Sequence, residues 1–225
     1  MLKAVLFDMD GVIVNTEPLH QKSYALMFDD VNIEVPDDLY STFTGQSTRA
    51  ICDMLIKHFN LPLGTETLQE IKRYHFKNLF ENDDELDLLP GVLDLIKDYY
   101  NNGLTLVLAS SATMENINNI FKRFNLNQYF VAKLSGADLK ASKPHPEIFE
   151  NAAKAAGFDR DQCMVIEDST NGIKAAKDAG IFCVGYDGLE SNDQDFSLAD
   201  MVVNDFKDIA YETISKHFNS VLADK

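Results

Sequence analysis

Apolar residues fall in short unbroken runs, and the stretches between those runs carry helical periodicity. Residues 4–7 (Ala-Val-Leu-Phe) form the first run, 104–109 the second, 164–166 the third, 181–184 the fourth and 201–203 a fifth. Runs this short and, apart from Thr105 in the second, uniformly apolar predict strands buried on both faces. In 113–124, Ile117, Ile120, Phe121 and Phe124 recur at i, i+3, i+4, i+7 and predict an amphipathic helix. Helices are also expected over 92–101, over 147–156 after Pro146 and before Gly157, and over 173–179 before Gly180. Proline favours a first helical turn and glycine a helix end. Strands alternating with helices predict an α/β fold, a doubly wound parallel sheet with helices on both faces.

One stretch interrupts the alternation. Between Val14 and Leu89 the pattern shows helices near 17–28, 47–59 and 65–80, with Ile51, Leu55 and Phe59 on one stripe of the second, and no strand. The expected organisation is a core domain of residues 1–14 and 89–225 and a helical domain of residues 15–88. Hinge-like connections are expected around Val14 and at Leu89-Pro90-Gly91. The tail from Ser215 onward is expected to fray.

The 225 residues carry a formal net charge of -16. That balance weighs against nucleic acid, whose affinity comes from clustered Lys and Arg, and against an anionic membrane surface. It leaves small phosphorylated molecules open, because local donors and metal ions hold those. Cys52, Cys163 and Cys183 are few and widely spaced, and predict free thiols in a reducing compartment. Lys3, Asp8 and Asp10 interrupt the apolar start, and no run is long enough to span a bilayer. The expectation is a cytoplasmic monomer whose partner is a small phosphorylated substrate.

In an open parallel sheet, ligands bind beyond the carboxyl ends of the strands, so the residues that follow each run matter most. These are Asp8-Met9-Asp10-Gly11, Ser110-Ser111 and Glu167-Asp168-Ser169. Two unit charges ~4 Å apart repel by roughly 4 kcal/mol at an effective dielectric of about 20. A hard divalent cation relieves that repulsion, and all-oxygen ligands favour Mg²⁺. Asp8 and Asp10 would share a face on a regular strand, one to attack phosphorus and the other to handle protons. Alone, such acids are ordinary turn residues, and their combination with Asp168 and Lys143 carries the reading. Lys143, in Ser142-Lys143-Pro144, would hold both the phosphate and the nucleophile as a compact charge. Ser110, or a backbone N–H near Ser111, would donate to phosphate oxygens or cap the next helix.

These residues resemble the haloacid dehalogenase superfamily over nearly the whole chain. Four motifs stand in family order: Asp8-Met9-Asp10-Gly11-Val12, Ser110 after an apolar run, Lys143-Pro144, and Ile166-Glu167-Asp168-Ser169 with Asn171-Gly172. Asn15-Thr16-Glu17-Pro18-Leu19-His20 and Gly45 look like its β-phosphoglucomutase and sugar-phosphatase branch. The resemblance implies a Rossmann-like core with residues 15–88 as a cap. It implies Asp8 as nucleophile and Asp10 as general acid and base. Mg²⁺ would be held by Asp8, the Asp10 carbonyl and Asp168, with Glu167 direct or through water. Ser110, Ser111 and Lys143 would grip the phosphoryl group.

Within the cap, His20, Gly45, Arg49 and His75 are the candidate substrate contacts. The bland alternative is a solvated helix face for Arg49 and His75, and a hinge or interdomain hydrogen bond for His20. The chain departs from the mutase pattern at Thr44, where Lys is expected, and at Thr113-Met114, where Lys-Asn is expected. The expected activity is therefore a Mg²⁺-dependent phosphatase of a small sugar phosphate through an aspartyl phosphate on Asp8. A β-phosphoglucomutase-type mutase is the alternative. A dehalogenase would have no use for Asp10 and Glu167-Asp168, and a phospho-accepting receiver would be about half as long.

Overall fold

A computed structural model describes residues 1–43, 46–139, 141–189 and 194–223. Six strands form one sheet: β1 (Ala4–Phe7), β2 (Thr105–Ser110), β3 (Phe130–Ser135), β4 (Cys163–Glu167), β5 (Phe182–Tyr186) and β6 (Met201–Val203). Their order is β3-β2-β1-β4-β5-β6 and every pairing is parallel. The helices, in chain order, are α1 (Glu17–Asp30), α2 (Asp37–Ser41), α3 (Thr48–Phe59), α4 (Thr65–Asn82), α5 (Val92–Asn101), α6 (Met114–Arg123), α7 (Glu147–Ala156), α8 (Thr170–Asp178) and α9 (Tyr211–Ala223). The architecture is the doubly wound parallel α/β fold that the strand–helix alternation implies.

Side chains of β1 alternate between two apolar layers, as a strand's period of two requires. Ala4 and Leu6 join Val107, Cys163, Val165 and Cys183 in the layer built with α7 and α8. On the other side, Phe7 lies 6.2 Å from Tyr99 of α5, ring to ring, and 5.6 Å from Phe130. The Tyr99 hydroxyl reaches the Ile209 carbonyl at 2.6 Å. Asp98 accepts the Tyr211 N–H at 2.7 Å. These two bonds tie α5 to the start of α9. That helix continues through residue 223 with Ile214 and Phe218 buried, past the point at Ser215 where fraying is expected. Strand β3 has no counterpart in the sequence reading. It is an edge strand, and its outer positions (Val131 is 65% exposed) dilute the apolar signal.

Residues Thr16–Leu86 form one compact unit, and Met1–Asn15 with Asp87–Lys225 form the other. Within the first, α1 packs along α4, and Tyr24, Met27, Phe28, Ile51, Cys52, Leu55 and Leu68 form its core. Ser47 caps α3 by accepting the Ala50 N–H. In the second, the chain leaving the sheet and the chain returning to it are paired. Val14 bridges Leu88 antiparallel, and the Leu89 N–H reaches the Ile13 carbonyl at 2.9 Å. The three cysteines are free and buried. Among the described residues no helix is long and apolar enough to cross a membrane.

Candidate active site

The sheet order places β1 between β2 and β4, with Phe7 opposite both Leu108 and Ile166. The residues just past the strand ends therefore converge where the winding direction reverses, the usual position for a site in this architecture. Strand β1 ends at Phe7, so Asp8 and Asp10 lie in a turn and not on the regular strand assumed from their spacing. The Asp8 N–H still reaches the Ile166 carbonyl at 3.0 Å. Beyond it the N–H groups of Val12, Ile13 and Val14 converge on the Met9 carbonyl. Gly11 adopts φ 82°, and a β-carbon there would collide with the Asp168 carboxylate. Glycine alone satisfies both the backbone angle and the close approach.

Lys143 is the hub. Its ammonium donates to Asp8 Oδ1 at 2.6 Å, to Glu167 Oε1 at 2.6 Å and to the Ala109 carbonyl at 3.1 Å. It also lies 4.9 Å from the centre of the Phe149 ring. The Lys143 side chain is 7% exposed and that of Glu167 is 1% exposed. The other Glu167 oxygen accepts the Ser169 N–H and hydroxyl, each at 2.9 Å. Burial pulls the Lys143 pKa down, but Asp8 and Glu167 outweigh it and raise it above the ordinary lysine value. Burial pushes Asp8 up to about 7 against the opposing pull of Lys143, with Glu167 and Asp10 adding to the rise. Asp168 is raised as well, by burial first and then by Glu167 and Asp8.

Asp8, Glu167 and Asp168 offer oxygens that lie within 4.8 Å of one another. These carboxylates, with Asp10 adding to the negative field at Asp8 and Asp168, outnumber the one Lys143 ammonium, and a divalent cation would offset the surplus. The donors are all hard oxygens, which suits Mg²⁺. Ser110, 1% exposed at the end of β2, accepts the Ala112 N–H at 3.1 Å through its hydroxyl oxygen. Capping of α6 falls to Thr113 instead. Ser111 is exposed beside it.

The candidates in the inserted unit are spread over it. Arg49 is exposed in the first turn of α3, and His75 pairs with Asp30 at 2.7 Å. Gly45 lies outside the described residues. His20 stacks on Phe76 with ring centroids 4.5 Å apart, and the Lys72 ammonium lies 2.5 Å from its Nδ1. Lys72, 3% exposed, was missed as a candidate in its own right. The signal was present: Leu68, Lys72, Phe76 and Phe80 recur every fourth residue, which places a lysine on the buried stripe of α4.

Burial, then the Lys72 charge, lowers the His20 pKa to about 3. An unfolded histidine titrates near ~6.5. The stability held by neutral His20 is thus complete above about pH 6.5 and is lost as pH falls toward about 3. His20→Asn is expected to remove about 2–3 kcal/mol of the destabilisation seen between about pH 7 and about pH 4. Urea midpoints at the two pH values measure this, and identical pH dependence in both proteins would contradict it.

Comparison with known proteins bears on the family and the fold. A family model described as haloacid dehalogenase-like hydrolase matches residues 5–186. The β-phosphoglucomutase of Bacillus subtilis strain 168 is 29% identical over 224 residues, covering 96% of this chain and 96% of that protein. Hexitol phosphatase B of Escherichia coli strain K12 is 28% identical over 214 residues, covering 92% and 93%. Among solved structures, a β-phosphoglucomutase from Clostridium difficile matches with a TM-score of 0.84 at 26% identity, covering 99% of this chain and 100% of that one.

Proposed function

We propose, for a chain that belongs to the haloacid dehalogenase-like hydrolase family, a Mg²⁺-dependent phosphatase that moves the phosphoryl group of a small sugar phosphate onto Asp8 and then to water. The chain is an enzyme of the phosphatase or phosphomutase kind. The observation that carries the finer reading is the buried triad of Asp8, Lys143 and Glu167, with Asp168 beside it.

A carboxylate oxygen of Asp8 attacks phosphorus and the ester oxygen leaves. Asp10, two residues on, protonates that oxygen and later takes the proton from the attacking water, which expels Asp8 and regenerates the free carboxylate. Two displacements replace one difficult displacement. Lys143 keeps Asp8 charged and aimed, and meets the charge that spreads over the phosphoryl oxygens. Ser110, with the backbone beside Ser111, donates to the same oxygens. Mg²⁺, held by Asp8, the Asp10 carbonyl and Asp168, with Glu167 direct or through water, would supply the remaining positive charge. The inserted unit, acting as a cap, would select the sugar, with His20, Arg49, His75 and Gly45 as the residues to vary.

Phosphate release from a panel of sugar phosphates with Mg²⁺ tests the proposal, and no release from any of them would sink it. A mutase is the second reading, because two of the similar proteins are β-phosphoglucomutases. Formation of glucose 6-phosphate from β-glucose 1-phosphate, primed with a bisphosphate, in excess over free phosphate would favour it.

The raised acids make a further prediction. Protons compete with a cation for Asp8 and Asp168, so binding must release them. The apparent Mg²⁺ affinity is expected to rise about tenfold between about pH 6 and about pH 8. Titration calorimetry in buffers of different ionisation enthalpy measures both the affinity and the protons released. A pH-independent affinity would contradict the assigned ligands.

A further inference from the structure

Glycine is a poor helix former, yet Gly172 lies in the first turn of α8, where alanine would be intrinsically better. The space beside it explains the choice. A β-carbon at Gly172 would run into the Glu167 carboxylate, meeting both of its oxygens and the carbon between them. The end of a side chain ordinarily swings aside at little cost. Here it cannot, because Glu167 Oε1 is held by Lys143 at 2.6 Å and Oε2 by the Ser169 N–H and hydroxyl at 2.9 Å. The Ser169 hydroxyl oxygen in turn accepts the Gly172 N–H at 3.0 Å. The missing side chain therefore lets the helix start close over the carboxylate, and moving that carboxylate breaks one of the three bonds that fix Lys143.

We infer that Gly172 is a positioning residue for phosphoryl transfer. By leaving room for Glu167 against the first turn of α8, it sets the place of Lys143 beside Asp8. Gly11 stands in the same relation to Asp168, but its φ of 82° would confound any substitution there. Gly172 carries no such strain, so alanine at that position tests the close approach alone. The inference rests on the proposed active site for its effect on turnover, but the effect on Lys143 can be read without turnover.

The experiment compares Gly172→Ala, Glu167→Asp and the double variant with the unaltered protein. Far-ultraviolet circular dichroism verifies folding. Gly172→Ala is expected to lower kcat/KM for a sugar phosphate that the unaltered protein hydrolyses with Mg²⁺ by at least about tenfold. Glu167→Asp withdraws the carboxylate by one methylene and makes room for the methyl group. The double variant is therefore expected to be at least about fivefold more active than the product of the two single losses. Activity of Gly172→Ala within about twofold of the unaltered protein, or losses that simply multiply, would overturn the inference. Pulsed acetylation with acetic anhydride, read at Lys143 by mass spectrometry, gives the second readout. Labelling is expected to be at least about threefold faster in Gly172→Ala, since an ammonium no longer held by Glu167 leaves its buried place more often. If the unaltered protein hydrolyses nothing, the proposed function fails, and faster labelling in the variant still supports the positioning role, whereas equal labelling removes it. If Gly172→Ala does not fold, Ser169→Ala takes away one anchor of the same carboxylate without adding bulk. Faster Lys143 labelling in that variant supports the inference, and unchanged labelling overturns it.

Discussion

Asp8→Asn is expected to lower phosphate release by about four orders of magnitude or more, because an amide oxygen cannot replace the carboxylate as nucleophile. The fold should survive. Ionised Asp8 is unfavourable in its buried place beside Glu167 and Asp10, which is why its pKa is pushed up to about 7. A neutral amide of the same shape removes that repulsion and leaves Lys143 its bond to Glu167. Thermal unfolding without metal, above about pH 7, should therefore show the variant equal to or above the unaltered protein. A variant that retained a tenth of the activity, or that lost it through unfolding, would contradict the assigned role.

Lys143→Ala is expected to damage both catalysis and stability. The loss in kcat should be about 10²–10³-fold, the range for removing one donor from a site where charge develops. The loss in stability should be about 3–5 kcal/mol, because Asp8 and Glu167 keep their burial and lose their counter-charge. Mg²⁺ should restore part of the stability and none of the donor. Urea unfolding with and without Mg²⁺, alongside steady-state kinetics, separates the two effects. Arginine should not substitute, since a planar fork does not fit where one ammonium meets Asp8, Glu167 and the Ala109 carbonyl. A Lys143→Ala protein with unchanged kcat would contradict the hub assignment.

The legibility of the fold in the sequence follows from burial. Strands β1, β2, β4, β5 and β6 were readable because their apolar runs are sandwiched between helical layers or cut off by turn residues. Strand β3 was not, because Val131 and Lys133 give an edge strand a mixed pattern that matches neither period. The short α2 was also missed, since Asp37–Ser41 is little more than one turn and only half-buries Leu39 and Tyr40. Helix α9 outlasted the expected fraying because Ile214 and Phe218 are buried, and Asp98 bonds its first residue.

The gathering of the candidate residues was readable in the sequence more than their wiring. Asp8, Ser110 and Glu167 stand at the ends of neighbouring parallel strands, so their convergence follows from strand order. Lys143 comes from a loop after β3, and its hold on Asp8 is what the sequence leads one to expect, whereas nothing in its local sequence says that it also bonds Glu167. Glu167 looked like a metal acid, and its hold on Lys143 became visible only in three dimensions. Lys72 shows the same limit from the other side. Its helical spacing was legible, and its partner His20, 52 residues away, was not.

The transfer of phosphorus to Asp8 can be read directly. The protein is mixed with a hydrolysable sugar phosphate and Mg²⁺, quenched with acid during turnover, and treated with borohydride to reduce any acyl phosphate. Peptide mapping then locates the modified residue. The account predicts reduction at Asp8 in the quenched sample and none before substrate is added. Steady phosphate release with Asp8 unmodified, or with the mark on another residue, would contradict it.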